Sequence, residues 1–189
     1  MEARDLKLTL IDAVTVLVAR NFKFHLTGGF AASFYGEPRF TQDIDFVIQI
    51  NDNRELPELV QDISSKFIID FDAVIDAVQR NSIFQALHKM TMIKIDFHVG
   101  EAIPGELDRS RKEEILSGVM VPLVSKEDAI LSKLIWISKG SHKSKRDVIM
   151  MLRRPEGIDF DYLNIQASKL SVETILKELS LEVDKYGIC

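Results

Sequence analysis

The stretch Asp43-Ile44-Asp45-Phe46-Val47-Ile48 constrains the fold more than any other part of the chain. A β-strand alternates faces, so Asp43 and Asp45 point one way while Ile44, Phe46 and Ile48 point the other. A second run repeats the pattern: Ile93, Ile95, Phe97 and Val99 alternate with Met92, Lys94, Asp96 and His98. Two such strands ask for a sheet with one face buried under other elements and one face that carries acids. If they lie side by side, Asp43, Asp45 and Asp96 open onto one cleft.

The remaining periodicities place helices around these strands. Leu6, Leu10, Ile11, Val14, Leu17 and Val18 recur at helical spacing, which predicts an amphipathic helix over residues 3–20. Residues 22–27 read as a strand running into a turn at Gly28-Gly29, and residues 30–35 as a short helix stopped by Gly36 and Pro38. A strand over 44–50 closes on Asn51-Asp52-Asn53, and a helix follows over 55–66. Residues 68–78 fit strand and helix equally. Residues 82–89 and 91–99 read as a hairpin, 100–118 as a loop with a short helix, and 119–124 as a strand. Helices then follow over 125–138, 143–154, 160–170 and 172–185, with Ser125 and Asp128 spaced like a capping box. The expected organisation is a mixed α/β core over 1–124 and a helical region over 125–189.

Composition narrows the class. With 189 residues, 46% of them hydrophobic, the chain has enough apolar matter for a core. Its net charge of −5 argues against a protein coated in basic charge for non-specific DNA binding. The lone cysteine, Cys189, permits no intrachain disulfide, which fits a reducing cytoplasm. No signal-peptide pattern and no membrane span are expected, because no apolar run approaches ~20 residues.

Two carboxylates about 7 Å apart along a strand repel each other unless a cation sits between them. Clustered carboxylates suit Mg²⁺, a hard cation that prefers oxygen ligands. Glycines ahead of them let a backbone approach a phosphate closely. Metal plus phosphate is therefore the reading of Gly28, Gly29, Asp43, Asp45 and Asp96 taken together.

The pattern Gly28-Gly29-Phe30-Ala31, Tyr35-Gly36, Pro38-Arg39, Thr41, Asp43-Ile44-Asp45 and then Ile95-Asp96-Phe97 resembles the nucleotidyltransferase superfamily related to DNA polymerase β. Within it, the string is similar to the bacterial branch of abortive-infection type toxin nucleotidyltransferases. Lys133-Leu134-Ile135-Trp136, Lys145-Arg146-Asp147-Val148 and Met151-Leu152 are similar to that branch's helical tail. The resemblance implies an α+β fold: a small mixed sheet flanked by helices, with a helical C-terminal region. It implies transfer of a nucleoside monophosphate from a nucleoside triphosphate to an acceptor, with Mg²⁺ or Mn²⁺, in the cytoplasm, and an antitoxin as partner. The metal aspartates carry over to Asp43, Asp45 and Asp96, the phosphate-cradling turn to Gly28 and Gly29, and the phosphate lysine to Lys133. Many members carry serine where this chain has Gly29. Thr27 and Ser33 are the neighbouring hydroxyls, and the departure keeps a non-catalytic nucleotide-binding module open beside the enzyme. An RNA, a protein hydroxyl and a small alcohol are all compatible acceptors. A metal-dependent phosphohydrolase is a weaker alternative, against which the Gly-Gly turn argues.

Between Lys133 and Arg154 lie five further lysines and arginines and a single acid, Asp147. This island can serve a triphosphate or an RNA, or form a solvated helix face. Asp147 is expected to hold Arg146 or a lysine. Arg39 is expected to meet a carboxylate or a phosphate of the bound nucleotide. His98 reads as a hydrogen-bonded structural residue. Trp136, among apolar neighbours, is expected in the core; exposed near a nucleotide cleft, it can stack on a base.

Overall fold

The computed structural model describes residues 3–39, 41, 43–50 and 52–186; Asn51 and Cys189 lie outside the described residues. Helix α1 (Ala3–Ala19) leads into strand β1 (Lys23–Leu26), helix α2 (Gly28–Tyr35) and strand β2 (Asp43–Gln49). Helix α3 (Leu56–Lys66) is followed by β3 (Phe67–Ile69), α4 (Phe71–Arg80), β4 (Ile83–His88) and β5 (Lys94–Val99). Then come α5 (Glu106–Arg109), β6 (Arg111–Leu116), β7 (Val119–Leu123), and helices α6 (Lys126–Ser138), α7 (His142–Leu152), α8 (Phe160–Lys169) and α9 (Glu173–Tyr186).

The strands form one mixed sheet of order β3-β4-β5-β2-β1-β7-β6. β2 lies between β1, antiparallel to it, and β5, parallel to it. This is the α+β fold with a helical C-terminal region that the resemblance implies. The alternation does what it predicts: Ile44, Phe46, Ile48, Ile95 and Phe97 are buried in one core with residues of α1, α3 and α4. Phe97 stacks on Phe46 at 5.9 Å and on Phe84 at 4.9 Å between ring centroids. Each fully buried phenylalanine contributes roughly 1.5–3 kcal/mol relative to exposure.

Two segments resolve differently from their sequence reading. The ambiguous 68–78 region splits at Asp70, whose carboxylate accepts from the amides of Asp72 and Ala73 and so caps α4. The segment 100–118 contains, besides the expected short helix, the strand β6, paired antiparallel to β7. Its Arg-Lys-Glu-Glu start hides any apolar alternation. It is an edge strand, and charged side chains there discourage pairing with a second chain.

The first C-terminal helix is tied down by a buried seam. Asp128 on α6 is fully buried and accepts from Arg109 Nε at 2.8 Å, Ser125 Oγ at 2.9 Å and Tyr162 Oη at 2.8 Å. Ser125 Oγ accepts from the Asp128 amide at 3.1 Å, which is the helix-capping half of the predicted box. Beside this seam, His25 Nε2 lies 3.6 Å from Glu106 Oε2, and neither ring nitrogen of His25 has a hydrogen-bond partner. No helix among the described residues is long and apolar enough to cross a membrane.

Candidate active site

The cleft over the acid-bearing face of the sheet encloses about 1040 Å³ and is lined by Gly28, Gly29, Arg39, Asp43, Asp45, Asp96 and Lys133, among others. All seven residues singled out from the sequence therefore meet in one place. Strand register explains the acids. Asp45 pairs with Asp96 across parallel strands, and Asp43 pairs with Lys94. Adjacent strands lie about 4.8 Å apart, so the Asp45 and Asp96 carboxylates are neighbours on one face.

The glycine turn is built against this pair. Gly28 has φ +62°, a conformation that disfavours other residues, and a Cβ there would stand 1.9 Å from Asp45 Oδ2. The turn and the acid occupy one space that only glycine leaves open. It also opens α2, so the helix starts two residues earlier than the periodicity predicts. The Gly29 amide donates to Asp45 Oδ2 at 3.4 Å. A Cβ at residue 29 would stand 2.4 Å from Thr41 Oγ1. The hydroxyl nearest to where a serine at 29 would reach thus belongs to Thr41, a residue the sequence reading did not select for this role. Ser33, one of the expected substitutes, is engaged with the Arg39 backbone.

Charge balance is local. Burial pushes the Asp45 carboxyl up, but the His98 imidazole at 3.6 Å, the Gly29 amide and the nearby Lys133 ammonium outweigh it and hold Asp45 below the ordinary carboxylate value. His98 therefore attends Asp45, not Asp96, with which it shares a strand. Lys94 Nζ is 2.9 Å from Asp96 Oδ2. The other oxygen of that carboxylate, Oδ1, is buried without a hydrogen-bond partner.

This orphaned oxygen, beside an Asp45 held ionised, suits a hard cation better than it suits a packed interior. Among the described residues, however, no three His, Cys, Asp or Glu side chains are arranged to hold a metal. In the register Asp43 stands opposite Lys94, and Lys94 and His98 attend the other two carboxylates.

The cationic wall comes from the helices. Asp147 on α7 is buried and accepts from Arg39 Nε and Nη2, both at 2.9 Å, and from Lys133 Nζ at 3.0 Å. Burial raises its pKa, but the Arg39 and Lys133 charges dominate and keep it ionised. Asp147 thus holds a lysine, as one of the expected alternatives has it, and adds Arg39 from 108 positions away. Arg146 pairs with exposed Glu37 instead, at 3.4 Å. Trp136 departs from its core expectation. It is 42% exposed on the cleft wall, because Ile130, Leu131 and Leu134 take the buried side of α6.

Comparisons with known proteins bear on the family and the fold. Residues 11–182 match the family described as nucleotidyl transferase AbiEii toxin, type IV TA system. A comparison with curated proteins gives no match. Among solved structures, an antigenic nucleotidyltransferase-like protein from Paracoccidioides brasiliensis has a TM-score of 0.64 at 19% identity, over 98% of this chain and 93% of that one. ANT(2'')-Ia in complex with adenylyl-2''-tobramycin has a TM-score of 0.59 at 15% identity, over 88% and 97%. The lincosamide antibiotic adenylyltransferase LnuA, with lincomycin bound, has a TM-score of 0.50 at 14% identity, over 80% and 96%. At these identities the likeness is one of fold. With a family match over nearly its whole length, the chain belongs to the AbiEii toxin family of nucleotidyltransferases.

Proposed function

We propose that this nucleotidyltransferase moves a nucleoside monophosphate from a nucleoside triphosphate to an acceptor hydroxyl with divalent cations at Asp43, Asp45 and Asp96. The observation that carries the reading is the Asp45–Asp96 pair in register, with a buried unpartnered oxygen on Asp96, facing the Gly28-Gly29 turn. Mg²⁺ or Mn²⁺ held there would supply positive charge to the phosphoryl transfer. Asp43, Asp45 and Asp96 are the residues that would hold it, in place of the Lys94 and His98 contacts at Asp96 and Asp45.

The chain's own groups do the rest. The turn at Gly28 and Gly29 brings backbone amides up to the triphosphate. Arg39 and Lys133, positioned by Asp147, neutralise the phosphates, Lys133 as a point charge and Arg39 as a fork. The Thr41 hydroxyl, packed against Gly29 and donating to the Asp43 carbonyl at 3.2 Å, is the neighbouring hydroxyl we assign to a phosphate contact in place of a serine at residue 29. Asp45, kept ionised, is ready to ligate at neutral pH without first losing a proton. Adenylyl-2''-tobramycin and lincomycin are bound by two proteins of similar fold, so a small alcohol stays beside RNA and protein as acceptor class. An antitoxin and a cytoplasmic setting belong to the same proposal.

The test is incubation with Mg²⁺, labelled nucleoside triphosphates and total RNA or protein. Label transfer with release of pyrophosphate is expected, and Asp45→Ala is expected to abolish it with the fold intact. Absence of transfer with every nucleotide, beside a working control transferase, sinks the reading. Stabilisation by nucleotide without Mg²⁺ and without pyrophosphate identifies a non-catalytic module. Binding at a hundred times the dissociation constant adds about 2.7 kcal/mol, well within reach of a thermal-shift assay.

A further inference from the structure

We propose that Trp136 is the stacking platform for the base of the bound nucleoside triphosphate, an inference that rests on the nucleotidyl-transfer reading above. Three observations carry it. First, an indole is costly to leave in water, and α6 has buried positions to offer, yet Trp136 is 42% exposed and lines the cleft. Second, Trp136 is three residues from Lys133, and both line the cleft. Residues at that spacing are neighbours on a helix surface, with Cβ atoms about 5–6 Å apart. Lys133 is held by Asp147 beside Arg39, at the phosphate end of the cleft. A base is joined to its phosphates through one ribose, so a surface about one helical turn beyond the phosphate lysine stands within its reach.

Third, a cation attends the ring and the cleft is large enough. Lys139 Nζ lies over the indole, 5.5 Å from its centroid, and Lys139 also lines the cleft. A base therefore stacks on the opposite face or displaces the ammonium, which adds positive potential beside a polyanion. The volume of about 1040 Å³ exceeds the ~300–1,000 Å³ of ordinary small-molecule sites, leaving space for a nucleotide and part of an acceptor. Aromatic stacking tolerates every base, because every base has a π-face. The platform therefore sets affinity for nucleotides as a class, and selection among bases is left to edge contacts.

Trp136 is the chain's single tryptophan, so its fluorescence reports on this position alone. The experiment pairs fluorescence with calorimetry on the full chain, using each nucleoside triphosphate and inorganic tripolyphosphate. Nucleotides are expected to bind by calorimetry and to quench the emission. Tripolyphosphate is expected to bind without comparable quenching. Trp136→Ala should weaken nucleotide binding about tenfold while leaving tripolyphosphate binding unchanged, and Trp136→Phe should restore most of the loss. Nucleotide binding with no fluorescence change overturns the platform and leaves the transferase reading standing. Failure of every nucleotide to bind overturns both. Quenching by an RNA or alcohol acceptor but by no nucleotide moves Trp136 to the acceptor half of the cleft and overturns the assignment to the base.

Discussion

Asp147 and Asp128 are both buried carboxylates on C-terminal helices, and each is gripped by the fork of an arginine distant in sequence. Their surroundings differ. Asp128 closes on Arg109, Ser125 and Tyr162, with the Arg109 guanidinium 4.9 Å over the Tyr162 ring. Those partners join α5, α6 and α8, so the seam's product is attachment of one helix to another. Asp147 instead holds Arg39 and Lys133, which line the cleft. The same chemistry therefore serves cohesion in one place and positioning of cations in the other. What separates them is whether the partners tie one helix to another or line the cleft.

The largest expected effect falls on the seam. Asp128→Ala leaves Arg109 and Tyr162 without their shared acceptor; removing one partner of a fully buried ion pair costs about 3–5 kcal/mol, and with the Arg109 side chain 33% exposed the lower end of that range is expected. Chemical denaturation should show that loss, while nucleotide affinity of the folded fraction stays as it was. An equal loss of affinity would erase the distinction between the two carboxylates.

Next comes the His25–Glu106 contact beside the seam. Burial raises the Glu106 carboxyl from 4.5 to about 7 and lowers His25 from 6.5 to about 4. The unfolded chain ionises Glu106 above pH 4.5 while the folded chain keeps its proton, so stability from this group falls as pH rises from 4.5 to about 7. His25 acts in the opposite sense. Its neutral form is the folded one, so stability falls as pH drops from 6.5 to about 4. Glu106→Gln should therefore stabilise the protein at about pH 8 by about 3 kcal/mol, an advantage that fades toward pH 4.5. Thermal unfolding across that range checks it, and a pH-independent difference breaks the account.

Asp147→Asn keeps the shape and removes the charge that organises Arg39 and Lys133. A rise of about tenfold in nucleotide dissociation constant is expected, equivalent to about 1.4 kcal/mol. Calorimetry with and without the substitution reads it; unchanged affinity would reduce Asp147 to a second cohesive residue. The smallest effect is expected at Arg146, exposed and paired only loosely with Glu37. Arg146→Ala should change stability by less than about 1 kcal/mol, and a larger loss would show that the surface pair is coupled to the cleft network.

Legibility in the sequence followed the range of the interaction. The strands carrying Asp43, Asp45 and Asp96 were legible because alternation is local and repeats every two residues. The hairpin of β4 and β5 was legible for the same reason. Strand β6 was not, because its charged edge residues carry no apolar period. Thr41 was not legible as a neighbour of Gly29, since their closeness depends on how the backbone returns from α2 to β2. The engagement of Lys94 with Asp96 has a sequence signal, two residues apart on one strand face, which can be read once the strand is assigned.

The sequence by itself determined that a sheet would have one apolar and one acid-bearing face, that helices would cover the former, and that a glycine turn would precede the acids. Those outcomes rest on periodicity and backbone freedom, which act over a few residues. Tertiary structure alone decided which strands became neighbours, and hence that Asp45 rather than Asp43 stands beside Asp96. It also decided that Asp147 grips Arg39 and that Trp136 faces the cleft. These outcomes depend on packing between elements far apart in the chain, and no local pattern encodes the register or rotation with which two such elements meet.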